Sequence, residues 1–78
     1  MPEFIVYSRR GCHLCELMLE ELEPLCRGKA NVMLQDVDDD PVLADLYGDR
    51  VPVLCSGDAE MCHFYLDKTA FLAVLNQA

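Results

Sequence analysis

The sequence predicts a single α/β domain in which helices flank a four-stranded mixed sheet. The chain has 78 residues, of which 53% are hydrophobic, and a chain of this length buries one core but not two. Short runs of β-branched and aromatic residues alternate with apolar stripes at helical spacing, which gives the element order β-α-β-(α)-β-β-α over residues 1–78. Strands on either side of a helix should be parallel, and strands joined by a short turn should be antiparallel.

A change of periodicity separates the first strand from the first helix. Phe4–Tyr7 is a β-branched and aromatic run that predicts a buried strand, and residues 8–11 interrupt it. From Cys12 onward an apolar stripe recurs at helical spacing, with glutamates on the opposite face. The stripe consists of Leu14, Cys15, Met18, Leu19, Leu22, Leu25 and Cys26. Pro24 should kink or end this helix, because proline lacks a backbone donor and clashes with the preceding turn.

The middle of the chain contains a second strand and a short helix. Residues 32–37 form the predicted strand. Asp40 followed by Pro41 is typical of an N-cap with proline at the first helical position. Gly48 should end the short helix, since glycine is the usual residue just beyond a helix C-terminus.

The last third of the chain contains two strands and a helix. Residues 53–55 form a third strand that opens with Pro52, a position where a missing donor is tolerated. Residues 56–58 form a turn, and residues 61–66 form the fourth strand. Asp67 should cap a final helix. The apolar face of that helix consists of Phe71, Leu72 and Leu75.

The composition restricts the partners and the compartment. The 14 acidic and 6 basic residues give a formal charge of −8, which disfavours nucleic acid and anionic membranes as partners. No apolar run approaches the roughly 18–20 residues of a membrane span. Met1–Glu3 lacks the features of a signal peptide, so we expect a cytoplasmic protein. The five cysteines are odd in number and irregularly spaced; they should be free thiols, and any disulfide should be transient.

Cys12 and Cys15 are the strongest functional signal. Residues three apart on a helix are neighbours, so the two sulfurs can form a disulfide. Cys12 lies at the helix start in line with the polar face, whereas Cys15 lies on the apolar stripe; Cys12 should therefore be exposed and attack, and Cys15 should be shielded and resolve. The helix N-terminus, Arg9 and Arg10 favour the Cys12 thiolate and Glu16 opposes it, so we expect a lowered pKa for Cys12.

Two alternatives are open for the residues around the dithiol. His13, when protonated, could stabilise the thiolate and make the pair more oxidising, or it could face solvent without effect. The dithiol could also be half of a zinc site completed by Cys55, Cys62 and His63, although a second closely spaced pair is absent.

Val51-Pro52 is a second signal. A strand that opens with proline beside a dithiol offers a rigid backbone edge with which a substrate chain could pair, and the sequence alone does not decide whether this bond is cis.

Over its whole length the chain resembles the thioredoxin fold, and most closely the glutaredoxin-like family. The segments that carry the resemblance are residues 4–15, 36–38, 47–48 and 50–54.

The resemblance implies a thiol–disulfide oxidoreductase that acts on protein or low-molecular-weight disulfides. Such an enzyme needs no bound cofactor, and glutathione is a possible co-substrate. The resemblance implies that Cys12 is the nucleophile and Cys15 the resolving thiol. It also implies that Pro52 is the cis proline that faces them and that the backbone of Val51 pairs with the substrate. The other predicted substrate-binding residues are Arg10, His13, Arg50 and Asp67. We expect a monomer.

The chain departs from the family pattern at two places. Glutaredoxins have proline and an aromatic residue between the two cysteines, where this chain has His13 and Leu14. They also have a Gly-Gly turn followed by an acidic residue that holds the γ-glutamyl end of glutathione, whereas residues 62–68 contain no glycine. Asp67 could still serve as that acidic residue.

Two other functions are alternatives to catalysis. Some glutaredoxin-like proteins bridge iron–sulfur clusters between two subunits, so Cys12 and Cys15 could be metal or cluster ligands. The chain could also be a thioredoxin-fold adaptor with little turnover, marked by an ordinary Cys12 pKa near 8.5.

Overall fold

The computed structural model describes residues 2–77, which form one mixed sheet with helices packed on it. The elements in chain order are β1 (Glu3–Ser8), α1 (His13–Cys26), β2 (Asn31–Asp36), a 3-10 turn (Val37–Asp39), α2 (Pro41–Tyr47), β3 (Val53–Ser56), β4 (Ala59–His63) and α3 (Lys68–Gln77). The strand order is β2-β1-β3-β4. The β1–β2 pair is parallel, and the β1–β3 and β3–β4 pairs are antiparallel. The predicted fold class is confirmed.

The strand register brings four strand ends to one end of the sheet. Ser8 pairs with Asp36, and the neighbouring row joins Tyr7 to Val53 and Val53 to His63. The last residues of β1, β2 and β4 and the first residue of β3 therefore lie side by side, and we call this the upper end of the sheet. The chain leaves β1 here and turns directly into α1. The dithiol consequently sits above this end.

The main core joins the sheet to α1 and α3. Its buried side chains are Phe4, Val6, Met18, Leu22, Cys26, Ala30, Leu54, Phe71 and Leu75. The rings of Phe4 and Phe71 lie at its centre, with their centroids 4.8 Å apart. Met18 and Leu22 come from the predicted apolar stripe of α1, so the core fixes which face of α1 is turned away from solvent.

The helix ends follow local signals, with two differences in α1. Cys12 is the N-cap of α1, so the helix begins one residue later than its periodicity suggests. Pro24 does not end α1, which continues to Cys26. Asp40 caps α2 as predicted, because its side chain accepts a hydrogen bond from the Val42 N–H. Among residues 2–77 no helix is long and apolar enough to span a membrane; α1, the longest, has 14 residues.

The strand ends differ from the predicted ones because tertiary contacts end them. β2 stops at Asp36, and Val37 is fully buried in the 3-10 turn. β4 begins at Ala59 and ends at His63, not at residues 61–66. Its pairing stops where Phe64 adopts a φ of 65° and donates its N–H to the Pro52 carbonyl at 2.9 Å.

Gly48 ends α2 as predicted, but for a different reason. Its φ of −59° is right-handed, so no positive φ requires glycine here. A Cβ would instead lie 2.5 Å from the Ala44 carbonyl oxygen and 2.8 Å from Arg9 Nη2. Arg9 Nη1 donates to the Gly48 carbonyl at 3.2 Å. The glycine therefore makes room for Arg9, which connects the loop before the dithiol to the end of α2.

Candidate functional site

Cys12 and Cys15 are joined by a disulfide at the tip of α1. Their Cα atoms are 5.2 Å apart, within the usual range for a disulfide. Cys12 is partly exposed, whereas Cys15 is only 4% exposed and packs beneath it. The expected difference in accessibility is therefore present in the fold.

The Cys12 sulfur occupies the electrostatic position of a helix cap. It accepts a hydrogen bond from the Cys15 N–H at 3.1 Å. Backbone N–H groups at a helix N-terminus stabilise negative charge, and a thiolate is the form of cysteine that attacks disulfides. The same N–H can stabilise the Cys12 thiolate when the pair is reduced.

The two arginines before the dithiol differ in their partners, and both line the groove beside it. Arg9 pairs with Asp38, at 3.2 Å for both ion-pair contacts, and donates to the Gly48 carbonyl. The Asp38 carboxylate offsets part of the Arg9 charge, and the effect of Arg9 on the thiolate stays a prediction. The Arg10 side chain is 96% exposed, and its Nε lies 4.0 Å from Asp36 Oδ2. Arg10 is thus the more exposed of the two cations that line the groove beside the dithiol.

His13 faces solvent on the first turn of α1. Its Nδ1 lies 3.8 Å from Glu16 Oε2, and both side chains are largely exposed. This position matches the alternative in which His13 faces solvent. Any positive charge on His13 is shared with the Glu16 carboxylate, which weakens its effect on the dithiol.

A groove with a volume of about 370 Å³ runs along the dithiol on the side of β2. Its lining includes Arg10, Cys12, Cys15, Glu16, Leu34 and Asp36. The groove combines an apolar side chain with charges of both signs next to the disulfide. The sequence did not predict it, because it depends on β2 lying beside β1 at the upper end of the sheet.

The Val51-Pro52 segment lies at the start of β3. The bond is cis, as the family resemblance implies, and Pro52 is fully buried. Within residues 2–77, the Val51 N–H and C=O make no hydrogen bond to another residue. This backbone edge is therefore open to a partner.

Arg50, predicted to bind substrate, belongs to a charged network. Its Nη2 donates to Glu60 Oε1 at 3.1 Å, and Glu60 Oε2 lies 2.9 Å from His63 Nδ1. Its guanidinium also lies 5.9 Å from the centre of the Tyr47 ring. The sequence missed Glu60, because the fourth strand was expected to begin at Met61. In the fold, β4 begins earlier and brings Glu60 opposite Cys55.

The network lowers the pKa of Glu60. Burial by itself raises this pKa, but hydrogen bonds from His63 and Arg50 and their charges outweigh it. The ionised carboxylate is therefore favoured in the folded protein. Such a group stabilises the fold at pH values above its unfolded pKa, and this stabilisation is lost as the pH falls through the folded pKa.

Glu60→Gln should destabilise the protein at neutral pH but not in acid. The expected loss is below about 1 kcal/mol, because the partners are partly exposed. Wild type and variant should converge as the pH falls through the folded pKa of Glu60, since the carboxylate is then protonated in both states. Urea unfolding at several pH values measures this difference. Glu21→Gln, at an exposed position of α1, is the control, and its free energy of unfolding should equal that of wild type at every pH. A difference between Glu60→Gln and wild type that grows in acid would contradict the network.

The three cysteines outside the dithiol have raised thiol pKa values. Burial raises the pKa of the Cys26, Cys55 and Cys62 thiols, which for Cys55 and Cys62 outweighs hydrogen bonds that lower it. Protonated thiols attack disulfides slowly. Cys26 and Cys55 are core residues. The thiolate form is therefore disfavoured at all three positions.

Asp67 caps α3, as the sequence predicted. Its Oδ1 accepts a hydrogen bond from the Ala70 N–H at 3.1 Å. This bond accounts for one carboxylate oxygen. The predicted contact of Asp67 with substrate stays a prediction.

The zinc alternative lacks a ligand cluster in the part of the chain that the structure describes. Across residues 2–77, no three His, Cys, Asp or Glu side chains are grouped so that they could hold a metal ion. Cys55, Cys62 and His63 lie on β3 and β4 and are not gathered around the dithiol.

Comparisons with known proteins agree with this fold. Residues 3–76 match the model of a family described as "Glutaredoxin-like domain (DUF836)". The X-ray structure of the structural genomics target protein XcR50 from X. campestris is 33% identical, with a TM-score of 0.69 over 96% of this chain and 97% of that one. No curated protein matches the sequence. The fold is therefore thioredoxin-like, and the chain belongs to the glutaredoxin-like domain (DUF836) family.

Proposed function

We propose that this protein is a thiol–disulfide oxidoreductase in which Cys12 attacks and Cys15 resolves. The observation that carries the proposal is the asymmetric disulfide at the tip of α1. The partly exposed Cys12 sulfur accepts a hydrogen bond from the Cys15 N–H, and Cys15 is buried below it. An accessible sulfur with a donor aimed at it is suited to act as a thiolate nucleophile.

Exchange transfers two electrons in two displacement steps. The Cys12 thiolate attacks one sulfur of a substrate disulfide; a Cys12–substrate disulfide forms, and the other substrate sulfur leaves as a thiolate and takes up a proton. The Cys15 thiolate then attacks Cys12 Sγ. This releases the reduced substrate and leaves the Cys12–Cys15 disulfide. A thiol or dithiol reductant then reduces this disulfide, so we expect the protein to work in a reducing compartment such as the cytoplasm.

The open backbone of Val51 supports a substrate segment next to the dithiol. An extended chain gains main-chain hydrogen bonds by pairing with a free backbone edge. Arg10 lies on the other side of the disulfide from Val51, where it lines the groove beside β2. The other residues to which we assign substrate contacts are His13, Arg50 and Asp67. Protein and low-molecular-weight disulfides are both candidate substrates.

Cys15→Ser should trap the first intermediate. Without the resolving thiol, the Cys12–substrate disulfide has no internal route to break down, so it should accumulate during incubation with an oxidised peptide. Intact-mass and peptide-mapping mass spectrometry locate the adduct. Cys62→Ser is the matched control, and it should give no stable adduct because its Cys15 remains.

Three outcomes would contradict the proposal. An adduct on Cys26, Cys55 or Cys62 would place the chemistry elsewhere. No adduct at all would favour an adaptor. Stoichiometric iron or zinc in anaerobically purified protein, lost in Cys12→Ala, would favour a metal or cluster module.

A further inference from the structure

An exposed aromatic bend, Phe64-Tyr65, directly follows β4. Phe64 has a φ of 65° and is the only residue other than glycine in the described range 2–77 with a positive φ. The Tyr65 N–H donates to the His63 carbonyl at 2.7 Å, which closes a γ-turn around Phe64. A bulky residue in this conformation is strained. Such strain persists only where the surrounding structure holds it, and it clusters at functional sites.

Pro52 holds this bend at the upper end of the sheet. The Phe64 N–H donates to the Pro52 carbonyl at 2.9 Å. His63 pairs with Val53, and Val53 pairs with Tyr7. Because neighbouring strands are about 4.8 Å apart, the bend lies about 10 Å from the end of β1, with the start of β3 between them. The aromatic bend and the dithiol therefore flank Val51-Pro52 from two sides.

The bend presents large apolar surfaces to solvent. Phe64 is 40% exposed and Tyr65 is 71% exposed. His63 packs edge-on against the Phe64 ring, with the centroids 4.9 Å apart, and supports it from β4. Exposed aromatic rings on a backbone held in place are typical of recognition surfaces, because they bury much area at little cost in side-chain entropy.

The charges around the bend disfavour an anionic ligand. Residues 49–52 and 60–68, which exclude the turn at the other end of β3 and β4, contain three carboxylates, on Asp49, Glu60 and Asp67, and two permanent cations, on Arg50 and Lys68. Arg50 is paired with Glu60 at 3.1 Å and with Asp49 at 3.5 Å. Glutathione carries two carboxylates, and this surface has a net negative charge. A neutral or basic polypeptide fits it better.

We propose that the Phe64-Tyr65 bend binds an apolar side chain of a polypeptide substrate, close to the cysteine whose disulfide is exchanged. The inference rests on the proposed function and names its substrate class: polypeptide disulfides with an apolar neighbour are preferred over glutathione disulfide. A segment that pairs with Val51 rises about 3.3 Å per residue. A side chain two or three positions from the substrate cysteine lies about 7–10 Å from it, which is similar to the roughly 10 Å between the end of β1 and the bend.

Competing substrates test this inference. The probes are two disulfide-linked peptide dimers, which carry Phe or Ser two positions after the cysteine, together with glutathione disulfide. The wild-type protein should favour the Phe peptide over the Ser peptide by about 3- to 10-fold in kcat/KM, the range expected for one aromatic contact. Both peptides should be preferred over glutathione disulfide.

The double variant Phe64→Asn, Tyr65→Ser should abolish the preference for the Phe peptide. Asparagine tolerates a positive φ, so the bend can keep its backbone. Exchange with the Ser peptide should be unchanged, which separates lost recognition from lost folding. Met33→Ser, an exposed apolar position on the opposite edge strand β2, is the matched control and should keep the preference.

Each result is decisive. Equal use of both peptides by the wild type, faster use of glutathione disulfide, or a preference that survives the double variant would overturn the inference while exchange itself continues. Absence of exchange with all three probes would overturn the proposed function, and the inference with it.

Discussion

Cys12→Ser should lower disulfide exchange at least about 10³-fold, whereas substitution of any other cysteine except Cys15 should have little effect. A serine hydroxyl is not ionised at neutral pH and cannot form a mixed disulfide, so the first displacement is lost. The rate of peptide disulfide reduction in the presence of a dithiol reductant measures this.

Cys62→Ser is again the suitable control. Cys62 is a half-buried thiol on β4 whose pKa is raised by burial, so its removal should leave exchange nearly unchanged. The Cys15→Ser variant should still form the Cys12–substrate disulfide but should not release the reduced substrate from it. A Cys12→Ser protein that still reduces peptide disulfides would place the nucleophile at another thiol.

Phe71→Ala should cost about 3–5 kcal/mol in the free energy of unfolding. Phe71 is fully buried, and its ring packs on Phe4 at the centre of the core between the sheet and the two long helices. Small domains commonly have a total stability of only about 5–15 kcal/mol, and a chain of 78 residues buries proportionally little surface. Much of the variant should therefore be unfolded or close to it.

Urea unfolding followed by circular dichroism measures the loss. Phe71→Leu removes less volume and should cost less, and Val42→Ala, at an exposed position of α2, should change stability by less than about 0.5 kcal/mol. A Phe71→Ala protein as stable as wild type would mean that the core is not centred on this ring pair.

The two predictions separate chemistry from folding. α1 carries the dithiol at its tip, and Met18 and Leu22 anchor the same helix in the core. Phe71→Ala should therefore lower activity only in proportion to the folded fraction. Cys12→Ser should abolish exchange while the unfolding curve stays close to that of wild type.

The segment between β4 and α3 is where we expect the substrate preference of this chain to arise. The chain belongs to the glutaredoxin-like domain family. Residues 62–68 contain no glycine, and Phe64 and Tyr65 form the exposed bend in this segment. The bend is therefore the position at which this chain's specificity is expected to differ.

Much of the fold was predictable because its signals are local. The apolar stripe of α1, the cap formed by Asp40 before Pro41, and the cap formed by Asp67 each depend on neighbours within a few residues. The unequal burial of Cys12 and Cys15 belongs to this group as well. Cys15 belongs to the apolar stripe of α1, whereas Cys12 lies at the helix start in line with the glutamates, and this pattern is visible within the helix sequence itself.

Other parts of the site depend on contacts between residues distant in sequence. Arg9 was expected to act on the dithiol, and the fold also pairs it with Asp38 and the Gly48 carbonyl, which no local pattern indicates. Glu60 joins the site only because β4 starts early and pairs with β3 in a shifted register.

The sequence by itself therefore determined the order of the elements, the caps of α2 and α3, and a dithiol with one sulfur more accessible than the other. The tertiary structure alone decided the groove beside β2, the engagement of Arg9 and Arg50, and the strained bend at Phe64. The physical reason is that periodicity and capping act over a few residues. Strand order and register bring together groups far apart in the chain, and no local pattern specifies them.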